Sequence, residues 1–321
     1  MRVLVTGGAG FIGSHIVDTL TQRGHDCSVV DDLSSGTRAN LPADVPFHEV
    51  DIRNPAALAE VFDAVRPEWV CHQAAQMSVS RSVREPAFDA NVNVMGLLNV
   101  LGEAHRCGAS RVVFASSGGV LYGDVFEPAG EDHPADPISP YGITKWVGER
   151  YLQFYAREHG MQCVALRYAN VYGPRQNPHG EAGVVAIFCK LMLAGEQARV
   201  NGDGKYDRDY VFGPDVAAAN AAAFEADIPD GFAAYNIGTG VATDVNELAE
   251  QVRAECQRTL QARGSDREIP EPTHGPARPG DLRSSIVSAA KAQRELGWTP
   301  NVTIEEGLNQ TVAWFAEQLD S

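Results

Sequence analysis

Val3-Leu4-Val5-Thr6-Gly7-Gly8-Ala9-Gly10-Phe11-Ile12-Gly13 is the stretch that decides how this chain folds. Val3 to Val5 is a β-branched and apolar run, which predicts a strand buried on both faces. The run breaks into glycines and re-forms at helical spacing with Phe11, Ile12, Ile16, Val17 and Leu20, so the order is strand, turn, helix. Gly8, Gly10 and Gly13 fit G-x-G-x-x-G, and Gly7, Gly10 and Gly13 equally fit G-x-x-G-x-x-G. In either register the glycines allow a tight turn, let backbone approach a pyrophosphate and let the helix pack close to the strand. The helix N-terminus then offers its unpaired N–H groups to the phosphates. Downstream, Cys27-Ser28-Val29-Val30-Asp31 predicts a second strand ending in a carboxylate, where a dinucleotide's ribose needs an acceptor.

The 321 residues suffice for one large α/β domain or for a core domain with an appendage. Lys and Arg total 26 against 42 Asp and Glu, a net charge of -16 with no basic tract. That balance argues against nucleic acid or an anionic membrane surface as a partner. A first strand beginning at Arg2 leaves no room for a secretory leader, and no later run is apolar enough to span a bilayer, so a cytoplasmic location is expected. Cys27, Cys71, Cys107, Cys163, Cys189 and Cys256 lack C-x-x-C spacing and read as reduced packing residues, with no metal site.

Further along, Asp32-Leu33-Ser34-Ser35-Gly36 is a polar turn suited to wrapping an adenosine ribose. Phe47 to Val50 reads as a short strand followed by Asp51-Ile52, and Pro55 to Val65 as a helix with proline in its first turn. Trp69-Val70-Cys71-His72-Gln73-Ala74-Ala75 is a fourth strand ending in small residues, which leave space for a ligand. His72 reads as a structural hydrogen-bonder. A long helix is predicted over Phe88 to Cys107, with Asn91 and Asn93 polar where its pattern calls for apolar residues. Arg111 to Ala115 is a fifth strand running into Ser116-Ser117-Gly118-Gly119-Val120-Leu121-Tyr122-Gly123, and a proline-rich loop leads to a helix near Tyr141. Strand and helix alternate throughout, which implies an α/β fold with a doubly wound parallel sheet.

Tyr141 and Lys145 are four residues apart at the start of that helix and so lie on one face. A phenol titrates near pH 10, so its use as a base near neutrality requires stabilising phenolate by roughly three pK units, about 4 kcal/mol. A nearby cation and the helix N-terminus both act in that direction.

Together with the glycine turn, Asp31, His72-Gln73-Ala74-Ala75, Asn91-Val92-Asn93, the serines ahead of Tyr122-Gly123, Ser139-Pro140-Tyr141 with Lys145, and Leu166 to Pro174, the chain resembles the extended short-chain dehydrogenase/reductase family. Within it the likeness is to the NAD-dependent epimerase/dehydratase group, and most to the nucleotide-sugar 4-epimerases that act on UDP-glucose. It runs on through Arg208-Asp209-Tyr210-Val211, Asn236-Ile237-Gly238 and Arg278-Pro279-Gly280-Asp281. The resemblance implies a Rossmann-type sheet over residues 1–169 that binds NAD. It also implies a smaller part, mainly 170–321, that holds the nucleotide sugar, with segments near 208–226 returning to the sheet.

By the same likeness, Tyr141 takes a proton from the sugar 4″-hydroxyl as hydride passes to NAD, and Lys145 binds the nicotinamide ribose and depresses the Tyr141 pKa. The family's catalytic serine or threonine falls at Gly118 here, so Ser117 is expected to take its place. Cofactor contacts are implied for Gly7, Gly10, Phe11, Ile12, Asp31, Asp32, Leu33, Ser35, Gly36, Asp51, Ile52, Gln73, Ala74, Ala75, Asn91, Ser116, Tyr141, Lys145 and Tyr168. Substrate contacts are implied for Ser117, Asn170, Gly183, Val184, Arg208, Arg278, Asp281 and Ser285.

Ser285 stands where strict glucose/galactose epimerases carry a bulky aromatic, which implies that UDP-N-acetylhexosamines are accepted as well as UDP-hexoses. A homodimer through the helices near 88–107 and 141–158 is the family default. Two other readings fit the pattern: a dehydratase, decarboxylase or reductase using the same cofactor, or a dinucleotide sensor without activity. Gly119 and Val120 stand where dehydratases carry acidic residues, and retention of Tyr141 with Lys145 argues against the sensor.

Overall fold

The structure, a computed structural model, describes residues 1–178, 183–278 and 281–319. Pro279 and Gly280 of the Arg278-to-Asp281 motif lie outside the described residues.

The first half alternates as the sequence patterning predicts. β1 (Arg2–Thr6), α1 (Phe11–Gln22), β2 (Asp26–Asp31), β3 (Phe47–Glu49), α2 (Pro55–Val65) and β4 (Trp69–His72) come first. Two short helices, α3 (Val79–Arg84) and α4 (Pro86–Ala90), a π-helical turn over Asn91–Gly96 and α5 (Leu97–Arg106) follow. β5 (Arg111–Ser117), a single turn α6 (Gly118–Leu121), α7 (Pro140–His159) and β6 (Gln162–Tyr168) complete it. Local chemistry fixes the helix starts: Asn54 caps α2 and Ser139 caps α7, each followed by proline where the missing N–H costs nothing.

The predicted single helix over 88–107 is interrupted by the π turn. Asn93 is the reason: its buried amide bonds Gln76 and Asp89 and meets the Thr144 hydroxyl, and a wider turn lets the apolar positions beyond it still face the sheet.

β7 (Asn170–Tyr172), α8 (Val184–Leu193), β8 (Arg199–Asn201), β9 (Asp207–Phe212), α9 (Gly213–Glu225) and β10 (Phe232–Ile237) begin the second half. After them come β11 (Ala242–Thr243), α10 (Val245–Ala262), β12 (Thr273–Gly275), β13 (Ser284–Ser285), α11 (Ala290–Leu296) and α12 (Ile304–Gln318).

Seven parallel strands form the main sheet in the order β10-β6-β5-β4-β1-β2-β3. Val3, Leu4 and Val5 of β1 are fully buried at its centre, each worth roughly 1.5–3 kcal/mol of apolar burial. On one face Ile16, Val17 and Leu20 of α1 meet Val216, Ala217 and Phe224 of α9. Leu58 and Phe62 of α2, Leu97 and Leu101 of α5 and Leu152 of α7 cover the other, so the sheet is doubly wound. A second core gathers Phe188 and Met192 of α8, Leu248 and Val252 of α10, and Val312 and Phe315 of α12 against a small sheet ordered β11-β9-β13, with β7 beside β9. α9 and β10 lie late in the chain but belong to the main sheet's layers.

The strand order reverses between β1 and β4, where Thr6 and His72 are register partners. The glycine turn and Gln73-Ala74-Ala75 therefore leave the sheet side by side and open a crevice at its carboxyl edge. All six cysteines are free thiols. Among the described residues no helix is long and apolar enough to cross a membrane.

Candidate active site

Around the turn after β1, Gly7 has φ +67°, and a side-chain carbon on it would lie 2.6 Å from the Ala74 nitrogen. A carbon on Gly13 would lie 2.1 Å from the Gly7 carbonyl oxygen, and one on Gly10 3.2 Å from the same atom. The Gly7, Gly10, Gly13 register is thus the one that makes the turn, while Gly8 lets the turn pack on Val29. No side chain caps α1, whose first residues are Phe11 and Ile12, so its N-terminus presents bare N–H groups to an anion.

Asp31 is buried, with Oδ2 accepting from the Ala9 nitrogen at 3.0 Å and Oδ1 from the Leu33 nitrogen at 2.8 Å. Burial raises its pKa, and these backbone donors oppose the rise. Asp32 accepts from the Ser34 nitrogen and hydroxyl, and Leu33 holds φ +56°. Gly36 sits flush on Ala9, and the Ser35 carbonyl accepts from Asn177 Nδ2, so the 32–36 loop folds back over the glycine turn.

Asp51 is held below the ordinary carboxylate range by its bonds with Arg53, and the buried Ile52 offers its carbonyl to Asn99. Gln73 Nε2 and the Tyr168 hydroxyl meet at 3.2 Å, and both reach Asn220 of α9. The Ala74 nitrogen donates to Thr6 Oγ1, Ala75 follows on the same edge, and Ser116 Oγ donates to Glu149 Oε1 at 2.6 Å. Asn91 is exposed on the π turn, opposite in character to the buried Asn93. A tight glycine cradle, an uncapped helix end and a carboxylate at the end of β2 form the donor and acceptor set a dinucleotide requires.

The first turn of α7 carries Tyr141 and Lys145. Lys145 is 4% exposed, donates from Nζ to the Ala115 carbonyl at 2.9 Å, and lies 5.7 Å from the Tyr141 ring centroid. Burial pulls its pKa down to about 8. Ser117, the last residue of β5, is placed where it favours the ionised form of the Tyr141 phenol. Burial and the charge of Asp89 nevertheless push that phenol up to about 12, against the depression that the sequence pattern called for. The reason is geometric: the ammonium is spent on a carbonyl and sits over the ring, not at the phenol oxygen. His72, 2% exposed and bonded to Thr6 Oγ1 at 2.7 Å, is pushed down to about 3 and is neutral.

Gly118 has no room for a side chain. A carbon there would lie 2.9 Å from Val287 Cγ1 and 3.1 Å from the Arg167 carbonyl oxygen. Beyond it, Gly119 opens toward Asn170, whose buried Nδ2 has no partner, and Ser285 Oγ donates to the Gly119 carbonyl at 3.1 Å. Ser285 is the register partner of Arg208. Arg208 Nη2 donates to the Leu282 carbonyl at 2.7 Å and stands 3.7 Å from Asp281 Oδ1. Asp281 thus meets Arg208, while Arg278 is exposed. Gly183 precedes α8 without a side-chain cap, and Val184 opens that helix.

Several residues here gave no sequence signal as site residues. Asn220 is a lone amide in an alanine-rich helix. Asp89 accepts from Gln76, Asn93 and Thr144, tying the loop after β4 to α7. Glu149 and Arg167 form a buried ion pair at 2.7 Å that continues through the Tyr122 hydroxyl to Asn236. The nearest available signal for Asp89 was Asn93, a polar residue on a face that needed apolar ones.

Comparison with known proteins bears on this arrangement. Residues 3–238 match the model of the NAD dependent epimerase/dehydratase family. A UDP-glucose 4-epimerase of Mycolicibacterium smegmatis is 43% identical over 321 residues, covering 98% of each chain. Among solved structures, a UDP-glucose 4-epimerase with UDP-glucose from Thermotoga maritima superposes with TM-score 0.91 at 47% identity, covering 99% of this chain and 100% of that one. A UDP-glucose 4-epimerase in complex with NAD from Thermus thermophilus gives TM-score 0.89 at 44% identity, covering 98% and 99%.

Proposed function

The chain belongs to the NAD dependent epimerase/dehydratase family, and from that premise we propose that it interconverts UDP-hexoses at C4 through a 4-keto intermediate. The observation that carries this reading is the buried Lys145 ammonium 5.7 Å from the Tyr141 ring centroid, fixed by its bond to the Ala115 carbonyl on the sheet edge that also bears the glycine turn. Bound NAD supplies a hydride acceptor that is restored within each turnover. Tyr141 must ionise to phenolate to take the proton of the 4″-hydroxyl, which it later gives back, and Ser117 hydrogen-bonds the 4″-oxygen as that proton leaves. Lys145 holds a positive charge against the nicotinamide side of the site. Gly119 and Val120 bring no carboxyl group to the sugar, which favours epimerisation over elimination of water.

In this reading residues 1–169 carry the NAD site. Residues 170–321 mainly carry the nucleotide sugar, with α9 and β10 folded back on the main sheet. Gly7, Gly10, Phe11, Ile12, Asp31 to Leu33, Ser35, Gly36, Asp51, Ile52, Gln73 to Ala75, Asn91, Ser116 and Tyr168 hold NAD. Asn170, Gly183, Val184, Arg208, Arg278, Asp281 and Ser285 hold the UDP-sugar. The unpartnered Asn170 amide suits a diphosphate oxygen. The protein acts in the cytoplasm as a homodimer, without nucleic acid or membrane. The apolar groove of Val147, Tyr151 and Phe154 along α7 suits the dimer contact, and light scattering measures its mass. Incubating the protein with UDP-glucose, without added cofactor, and following the sugar by proton NMR tests the reading. Appearance of the galacto epimer supports it, and no change after NAD is supplied refutes it.

A further inference from the structure

Asp89 has no exposed surface, and each of its neighbours on the carboxylate is a donor. Oδ1 accepts from Gln76 Nε2 at 2.7 Å and from Asn93 Nδ2 at 3.0 Å, and Oδ2 lies 3.0 Å from Thr144 Oγ1. Burial raises the Asp89 pKa, and the Gln76 and Thr144 donors together with the Lys145 charge act the other way and favour the ionised form. The three partners come from three stretches of chain: the loop after β4, the π turn, and the first turn of α7. Thr144 lies between Tyr141 and Lys145 in sequence, and its hydroxyl also lies 2.9 Å from the Tyr141 carbonyl oxygen. A further contact, from the Tyr141 nitrogen to Ser82 Oγ at 3.1 Å, secures the same turn.

The other charges nearby are already matched. Arg81, stacked on Phe88, pairs with Glu85 at 3.3 Å, Arg53 pairs with Asp51, and His72 is neutral. Asp89 is the charge that acts on both Lys145 and Tyr141.

We propose that Asp89 is a positioning residue of the reaction: its carboxylate is the counter-charge of the Lys145 ammonium and the anchor of the first turn of α7. This deepens the reading of Tyr141 and Lys145 as the reacting pair. An anion in a buried site favours an ammonium and disfavours a phenolate. The resting site thus combines carboxylate, ammonium and neutral phenol, so one positive and one negative charge are buried together and neither is left alone. A charged Lys145 is what Tyr141 needs beside it when it ionises to act as the base.

The test is an NMR titration of the 13C-lysine-labelled protein, with the Lys145 resonance identified by its loss in Lys145→Met. Near pH 8, where Lys145 titrates, Tyr141 and His72 are both neutral, so Asp89 is the charge under comparison. Asp89→Asn lowers the pH at which Lys145 loses its proton by roughly one unit, and Asp89→Glu leaves it near the wild-type value. An unchanged Lys145 titration in Asp89→Asn overturns the proposal, because a purely structural anchor moves stability and rate but not that pH. Asp89→Ser removes the same charge and answers the question if the Asn variant does not fold. No turnover enters this measurement, so its failure is separate from failure of the epimerase reading.

Discussion

Val287 and the Arg167 carbonyl close Gly118 to any side chain, and its neighbour Ser117, the last residue of β5, carries a hydroxyl beside it. On the proposed reading, Ser117 supplies the catalytic hydroxyl in place of the residue at 118. Ser117→Ala is expected to lower kcat by roughly 100-fold. Gly118→Ser is expected to lose stability without gaining rate, and adding Val287→Ala to it restores much of the stability. Steady-state kinetics and thermal unfolding of the three variants check this.

Lys145 gives a pH signature. It titrates at about 8 in the fold and at 10.5 when unperturbed, so between those values the unfolded chain keeps a proton that the folded chain has lost. Stability from this group therefore rises with pH across that window, and below it the unfavourable burial of the ammonium is fully present. The stability of the cofactor-stripped protein relative to its Lys145→Met variant should rise by about 3 kcal/mol from pH 8 to pH 10.5. Urea unfolding of both proteins at the two pH values measures the difference.

At the glycine turn, Gly13→Ala places a carbon 2.1 Å from the Gly7 carbonyl oxygen. Backbone must move, so we expect a loss of about 2 kcal/mol and weaker binding of NAD. Gly102→Ala is the control: it lies in α5 with nothing within 4 Å of the added carbon, and should leave cofactor content unchanged while stabilising slightly. Absorbance of the released nucleotide and melting temperature report both effects.

Ser285 lines the Gly119 carbonyl beside Ser117, and it is small. Wild-type protein is expected to turn over UDP-N-acetylglucosamine as well as UDP-glucose. Ser285→Tyr should cut kcat/KM for the N-acetyl sugar at least tenfold more than for UDP-glucose, because a ring there competes with the acetamido group for space. Parallel assays with the two sugars decide it.

Much of this was legible in the sequence. The Val3 to Val5 run, the glycines and the proline-marked helix start at Pro55 follow from local chemistry and survive into the fold, and the helix expected near Tyr141 begins at Pro140. The spacing of Tyr141 and Lys145 is likewise local, since four residues span one helical turn. Asp89 was not legible, because a carboxylate on a helix reads as solvated until Gln76 and Thr144, distant in sequence, close over it. Glu149 and Arg167 are hidden for the same reason, on separate elements 18 residues apart. The small sheet of β7, β9, β11 and β13 was also beyond local reading: two of its strands have only 2 residues, too short to show alternation.

On the proposed function, the hydrogen removed from C4 of the sugar returns to C4 by way of bound NAD. Turnover of UDP-glucose deuterated at C4, in ordinary water and with no cofactor added, tests it most directly. Mass spectrometry and NMR should find the deuterium still at C4 of the UDP-galactose formed. Loss of the label to solvent would rule out hydride transfer at C4, since the hydrogen would then leave C4 as a proton.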